Sequence, residues 1–301
     1  MNRCLILIFV AINLIACNLT TAQQIDEQDI PVTQITSTPS PTDSVQNSDF
    51  SDAVVTNIRA IYQNGQASGN RAGVFSKIGD SITVSRSFLY PFGIGSYNTA
   101  DYPHLETVIS TYSQNNAHIG NSFINQSLAA GEGWSARAVL NPEFADETYC
   151  YAGEMPLFCE YRLVRPSIAI IMFGTNDSGY RTPESFEQDM QAIINYTSEM
   201  GIIPIVSTIP NRPEVAQQVI RFNDVIRQLA IENNIPLIEL YNATISLPNH
   251  GLTSDNVHLS SPPAGIQATG SFDPVNLQYG YVMRNFVTLS VLDAVHRVIN
   301  A

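Results

Sequence analysis

The feature that most constrains the fold is residues 167–173 (SIAIIMF), which are apolar on both alternating faces after the first residue. A strand with two apolar faces must be covered on both sides, as happens to central strands of parallel sheets. The run ends at Gly174 and continues into Thr175, Asn176 and Asp177, a composition typical of a turn. It therefore predicts a buried central strand with helices above and below.

Helical and strand-like patterns alternate from Ser51 to the end of the chain. The predicted elements are a helix with a stripe at Val54, Ile58 and Ile61 or Tyr62, a strand ending at Gly79, the strand 167–173, a helix capped by Thr182-Pro183 and ended by Gly201, a strand at 202–209, a helix through 215–229, a strand at 236–241 and a last helix at about 279–299. This alternation predicts an α/β fold, a three-layer α/β/α sandwich with a central mainly parallel sheet.

The amino terminus has the pattern of an export signal. Arg3 precedes an apolar run, residues 5–16, which is too short to span a bilayer but suits the core of a signal peptide. The end of the run, Leu14-Ile15-Ala16-Cys17, resembles the lipobox of bacterial lipoproteins, which implies a signal peptide at residues 1–16 and a lipid anchor at Cys17. A cut after Thr20-Thr21-Ala22 is the alternative. We expect an exported protein, either a cell-envelope lipoprotein or secreted.

Residues 17–50 predict a flexible acidic tether rather than a folded segment. They are rich in Ser, Thr, Pro, Gln and acids, and they contain neither Lys nor Arg. The folded domain is then expected at residues 51–301. The formal net charge of −13 argues against nucleic acid as a partner, because binding phosphates needs clustered basic residues.

The four cysteines predict one disulfide. If Cys4 is removed with the signal and Cys17 is lipidated, Cys150 and Cys159 remain as an even pair. In an exported protein such a pair is expected to be oxidised, the alternative being two free thiols. The histidines are scattered, so we expect neither a structural metal nor another cofactor.

Three short stretches carry the chemistry. Gly79-Asp80-Ser81 and Gly174-Thr175-Asn176-Asp177 both follow predicted strands, and the carboxyl ends of parallel strands share one edge of a sheet. The third stretch places Asp255 three residues before His258, a spacing that lets the carboxylate bind one ring nitrogen while the other faces a nucleophile. Alone, each stretch is also compatible with an ordinary turn.

Together, and in this order, the stretches resemble the sequence blocks of the GDSL or SGNH hydrolases. IGDSIT resembles the first block, FGTND the third and DNVHLS the last. The second block supplies a glycine, which we assign to Gly131, with Gly133 as the alternative. The resemblance implies a flavodoxin-like SGNH hydrolase fold.

The resemblance also implies the site. Ser81 is expected to be the nucleophile, His258 the general base and then acid, and Asp255 the residue that orients His258. The expected oxyanion donors are the amides of Ser81 and Gly131 and the side chain of Asn176.

Other polar residues near these stretches have simpler interpretations. Asp80 and Asp177 are interpreted as turn residues, and Trp134 as lining a pocket or packing in the core. His250 is a weaker candidate base, because Leu247 occupies the position three residues before it.

The function expected from the resemblance is that of an exported serine esterase acting on acetyl or short acyl esters of glycans or lipids. Two alternatives stay open: an O-acyltransferase acting on cell-surface glycans, and a surface lipoprotein that binds without catalysis. Membrane contact is expected only through the anchor at Cys17.

Overall fold

A computed structural model describes residues 50–301. The predicted signal peptide, the anchor at Cys17 and nearly all of the predicted tether lie outside these residues. Within residues 50–301, no helix is both long and apolar enough to cross a bilayer.

The described chain alternates helices and strands. The helices are α1 (Asp52–Ala67), α2 (Ser81–Val84), α3 (Tyr90–Gly93), α4 (Leu105–Ser113), α5 (Pro156–Val164), α6 (Pro183–Glu199), α7 (Ala216–Glu232), α8 (Leu240–Thr244) and α9 (Gly280–Ile299), and the strands are β1 (Arg71–Gly79), β2 (Pro166–Met172), β3 (Ile203–Ser207) and β4 (Leu237–Ile238). Short 3₁₀ turns occupy Ala138–Leu140, Pro142–Phe144, Asp177–Gly179, Pro213–Val215, Pro248–Gly251, Ile266–Gly270 and Asn276–Gln278.

The four strands form one parallel sheet in the order β1-β2-β3-β4. Every residue of β2 is buried, as its two apolar faces require. On the other edge of β1, Gly79 forms a parallel bridge with Ala130. The carboxyl end of β1 therefore lies between the end of β2 and the segment around Ala130.

Two helical layers cover the sheet, so the predicted α/β/α architecture is confirmed. Helices α1, α4 and α9 pack together on one side, whereas α5, α6 and α7 cover β1 and β3. The predicted helix start at Thr182-Pro183 is confirmed, since the Thr182 side chain accepts the amide of Ser185 and Pro183 begins α6. The predicted strand at 236–241 is wrong in length, because the backbone turns into α8 after Glu239 and the Tyr241 amide binds the Thr208 hydroxyl.

Cys150 and Cys159 form the predicted disulfide, with their Cα atoms 5.3 Å apart. Cys159 lies in α5 and is fully buried, whereas Cys150 ends an irregular segment that follows the turn Pro142–Phe144. The disulfide therefore attaches this segment to the helical layer.

Candidate active site

The nucleophile candidate stands at the first position of a short helix that begins where β1 ends. Asp80 caps this helix, α2, and its Oδ1 accepts the amide of Ile82 at 3.0 Å. At Gly79 a side chain would collide with the Met172 carbonyl and the Thr83 side chain, so glycine is needed for this turn. Asp80 is fully buried, and this burial raises its pKa to about 6. Its position as a helix cap agrees with the turn interpretation.

Ser81, His258 and Asp255 form a continuous hydrogen-bonded chain. The Ser81 Oγ lies 3.0 Å from the Nε2 of His258, and the Nδ1 of His258 lies 2.7 Å from the Oδ2 of Asp255. The side chains of His258 and Asp255 are 43% and 50% exposed, so solvent reaches these two members of the hydrogen-bonded chain. A hydroxyl, an imidazole and a carboxylate in this order can perform nucleophilic catalysis.

Asp255 is held by its own turn. Its Oδ1 accepts the amides of Val257 and His258, at 2.9 and 3.0 Å, and the Thr253 hydroxyl at 2.6 Å. Burial acts to raise the pKa of Asp255, but these hydrogen bonds and the one from His258 together lower it well below its ordinary value. Asp255 is thus anionic at neutral pH and can fix the tautomer of His258.

Three groups near Ser81 could donate hydrogen bonds to an oxyanion. Within the described residues the amides of Ser81 and Gly133 have no intramolecular acceptor, and the Nδ2 of Asn176 uses one hydrogen on the Trp134 carbonyl at 3.0 Å. The assignment of Gly131 does not fit this geometry, because its amide already donates to the Gly79 carbonyl at 3.1 Å. Gly133, the alternative, lines the same cavity as Ser81 and Asn176.

The turn after β2 is anchored by Asp177, whose importance the sequence did not reveal. Asp177 is fully buried, accepts the Ala136 amide at 3.2 Å and lies 3.6 Å from the Arg181 guanidinium. Burial raises its pKa to about 6. Asp177 thereby joins the turn of Asn176 to the segment that carries Gly133 and Trp134. It therefore helps to hold two candidate oxyanion donors, Asn176 and Gly133, in place.

Arg284, a buried residue of α9, contacts helix α2, which begins at Ser81. Its guanidinium donates to the Ile82 carbonyl at 2.7 Å and to the Thr83 hydroxyl at 2.9 Å, and it lies 3.6 Å from the centre of the Phe88 ring. Sequence reasoning missed Arg284, because an arginine within an apolar helix carries no local signal of its partners. The C-terminal helix therefore fixes the turn that presents Ser81.

Ser81 and His258 open into a cavity of about 790 Å³, which we call the catalytic cavity. Its lining includes Ser81, Gly133, Asn176, Val257 and His258. The cavity can thus present a hydroxyl, an imidazole and hydrogen-bond donors to one ligand.

Two alternative sites are weaker. The Nδ1 of His250 is 2.7 Å from the Ile245 carbonyl, and His250 is absent from the lining of the catalytic cavity, so it does not compete with His258. In residues 50–301, Cys150, Glu154 and Cys159 are the one His/Cys/Asp/Glu group with metal-ligand spacing, but the two sulfurs are bonded to each other and are not thiolate ligands.

Comparison with known proteins identifies the class. The sequence profile of the GDSL-like lipase/acylhydrolase family matches residues 77–262, well over half of the chain. The protein therefore belongs to this family and is a hydrolase of ester bonds. A comparison with curated protein sequences finds no match.

Three solved structures that are similar to this chain share little sequence with it. An acetylxylan esterase from Geobacillus stearothermophilus shares 16% identity at a TM-score of 0.46, with 74% of this chain and 94% of that chain covered. A carbohydrate esterase family 3 protein from Talaromyces cellulolyticus shares 15% at 0.45, with 72% and 97% covered. A GDSL-like lipase from Bacteroides thetaiotaomicron shares 14% at 0.43, with 80% and 98% covered.

Proposed function

We propose that this protein is an exported serine esterase in which Ser81, His258 and Asp255 form the catalytic triad. The observation that carries the proposal is the continuous contact from the Ser81 Oγ through both ring nitrogens of His258 to Asp255, at 3.0 and 2.7 Å. The acyl part is an acetyl or another short acyl group, and the alcohol is part of a glycan or a lipid.

The reaction proceeds in two halves. His258 Nε2 takes the proton of Ser81 as Oγ attacks the ester carbonyl, and the resulting oxyanion accepts hydrogen bonds from the amides of Ser81 and Gly133 and from Asn176. When the intermediate collapses, the carbon–oxygen bond to the alcohol breaks and His258 returns the proton to the leaving oxygen. Water then attacks the acyl-Ser81 ester with His258 again as base, which releases the acid and restores the serine.

Water is favoured as the acceptor over a second alcohol. The side chains of His258 and Asp255 are about half exposed, so solvent reaches the base while the acyl-enzyme exists. A transferase instead gains from excluding water from this position. The O-acyltransferase alternative predicts that an added glycan captures most of the acyl groups, which is measured as the ratio of acyl-glycan to free acid.

Export rests on the amino-terminal sequence together with the oxidised pair Cys150–Cys159, since disulfides persist outside the cytosol. The distance between Ser81 and His258 argues against a protein that only binds, which has no need for this alignment.

The decisive experiment compares the wild type with Ser81→Ala on p-nitrophenyl acetate and with a fluorophosphonate probe. We expect the variant to lose hydrolysis by at least ~10³-fold and to lose labelling, because no other hydroxyl contacts His258 in the described residues. The proposal fails if the variant keeps its activity, or if the probe labels another residue in both proteins.

A further inference from the structure

A second cavity lies beside the catalytic cavity, and the reaction described above does not use it. It has a volume of about 740 Å³, and we call it the side cavity. Val84, the last residue of α2, and Ser85 and Arg86, which follow it, line both cavities. A ligand whose ester reaches Ser81 can therefore extend across this segment into the side cavity.

Trp134, Phe144 and Tyr149 are three of the aromatic residues that line the side cavity. Trp134 packs edge to face against Phe144, with ring centres 5.7 Å apart, and Tyr149 packs in the same way against His118 at 5.0 Å. Phe144 and Tyr149 are 46% and 41% exposed, although large apolar rings gain free energy from burial. Their negative faces match the slightly positive C–H groups on the flat side of a sugar ring.

The rest of the lining is mixed, because apolar side chains such as Val84, Ile119 and Leu128 lie beside polar and charged ones. Arg86, His118, Gln126 and Asp146 are among the polar ones, and the buried Lys77 also contributes, with its ammonium donating to the Phe123 carbonyl at 2.7 Å. A hydrocarbon chain lying against the charged side chains is disfavoured, because it would remove water from them without replacing the hydrogen bonds of that water. A polyhydroxylated ligand can donate to and accept from them.

Trp134 also joins the side cavity to the proposed catalytic residues. The carbonyl of Trp134 accepts the hydrogen bond from Asn176, and Trp134 directly follows Gly133. A ligand that presses on Trp134 therefore acts on the segment that holds two oxyanion donors.

From this lining we propose that the side cavity binds the saccharide part of the substrate, so that the ester cleaved at Ser81 is carried by an acylated oligosaccharide. The inference rests on the proposed function, since it assigns the alcohol part of the same reaction. The stacking residues are Phe144, Tyr149 and Trp134, and the hydroxyl partners are Arg86, Gln126 and Asp146.

The test uses Phe144→Ala and Tyr149→Ala, with Tyr151→Ala as the matched control. Tyr151 belongs to the same surface segment and is 67% exposed, but it stacks on Arg162 and does not line the side cavity. Each protein is assayed on acetylated cello-, xylo- and chito-oligosaccharides and on p-nitrophenyl acetate, so that the acyl group stays constant.

We expect the ratio of kcat/KM on the best oligosaccharide to that on p-nitrophenyl acetate to fall by about 2- to 12-fold for each ring removed, mainly through KM. Tyr151→Ala should leave this ratio unchanged. An unchanged ratio in Phe144→Ala and Tyr149→Ala overturns the inference, as does an equal fall in Tyr151→Ala or a wild type that prefers no oligosaccharide of the panel.

A second substrate series tests the other possible occupant of the side cavity, which is the acyl chain. If the two variants instead lose activity selectively on p-nitrophenyl octanoate relative to the acetate, the side cavity holds the acyl chain and the saccharide assignment is wrong. These failures leave the proposed function intact, because that function fails separately if Ser81→Ala retains hydrolysis of p-nitrophenyl acetate.

Discussion

Replacing Asn176 with alanine should separate catalysis from stability more clearly than any other single change. The Nδ2 of Asn176 carries two hydrogens, one of which is bound by the Trp134 carbonyl at 3.0 Å, leaving the other for the oxyanion. Loss of one oxyanion donor costs about 2.7–4 kcal/mol in the transition state, which corresponds to a ~10²- to 10³-fold lower kcat. Loss of the bond to Trp134 costs only about 0.5–1.5 kcal/mol of folding free energy.

The assay measures kcat on p-nitrophenyl acetate together with thermal unfolding. For a domain of this size, the stability loss lowers Tm by about 1–6 °C, so Asn176→Ala stays folded at 25 °C. The control is Ser178→Ala in the same turn, because Ser178 is buried and its hydroxyl binds the Thr175 carbonyl at 3.0 Å without lining the catalytic cavity. The reasoning is refuted if Asn176→Ala keeps kcat within about threefold of the wild type, or if Ser178→Ala lowers it equally.

Three further predictions concern the triad, the pH dependence and the disulfide. Asp255→Asn should lower kcat by at least ~100-fold by releasing the His258 tautomer, whereas Asp273→Asn, in a loop where the carboxylate accepts only backbone amides, a hydroxyl and an amide side chain, should not. Because burial raises the pKa of Asp80 to about 6, protonation of Asp80 stabilises the fold below pH ~4, and this contribution is lost as the pH rises through about 6. Chemical denaturation should therefore show that the unfolding free energy of Asp80→Asn rises relative to that of the wild type by on the order of 3 kcal/mol between these pH values. A difference that stays constant with pH would contradict the assignment. Cys150→Ser should lower unfolding free energy by about 3 kcal/mol, as expected for a loop of this length, and a calorimetric Tm equal to that of the wild type would show that the disulfide contributes nothing.

The sequence could predict those parts of the site that follow from sheet geometry. Ser81 and Asn176 lie in the turns that follow strands with apolar patterns, so their meeting at one sheet edge follows from the parallel arrangement. The turn of Asp255 and His258 is local, and its spacing of three residues is readable without any tertiary information.

The remaining parts depend on contacts that leave no local pattern. We prefer Gly133 to Gly131 as oxyanion donor because the Gly79 carbonyl accepts the Gly131 amide, a contact that comes with a single bridge at the edge of β1. Aspartate is common in turns, so the sequence favours a turn role for Asp177. In the structure Asp177 is buried and accepts the amide of Ala136. Strand β4 is shorter than predicted, because at the sheet edge only Leu237 and Ile238 have a strand to pair with.

The buried guanidinium of Arg284 has a consequence for the order of events during folding. Asp255 and His258 are three residues apart, so their turn can form early, whereas Ser81 and His258 are 177 residues apart in the chain. Because Arg284 of α9 binds the carbonyl of Ile82 next to Ser81, we expect the alignment of Ser81 with His258 to form only once α9 has docked. During refolding, helical signal should therefore return before esterase activity, and the delay between the two should lengthen when the contact of Arg284 with α2 is weakened.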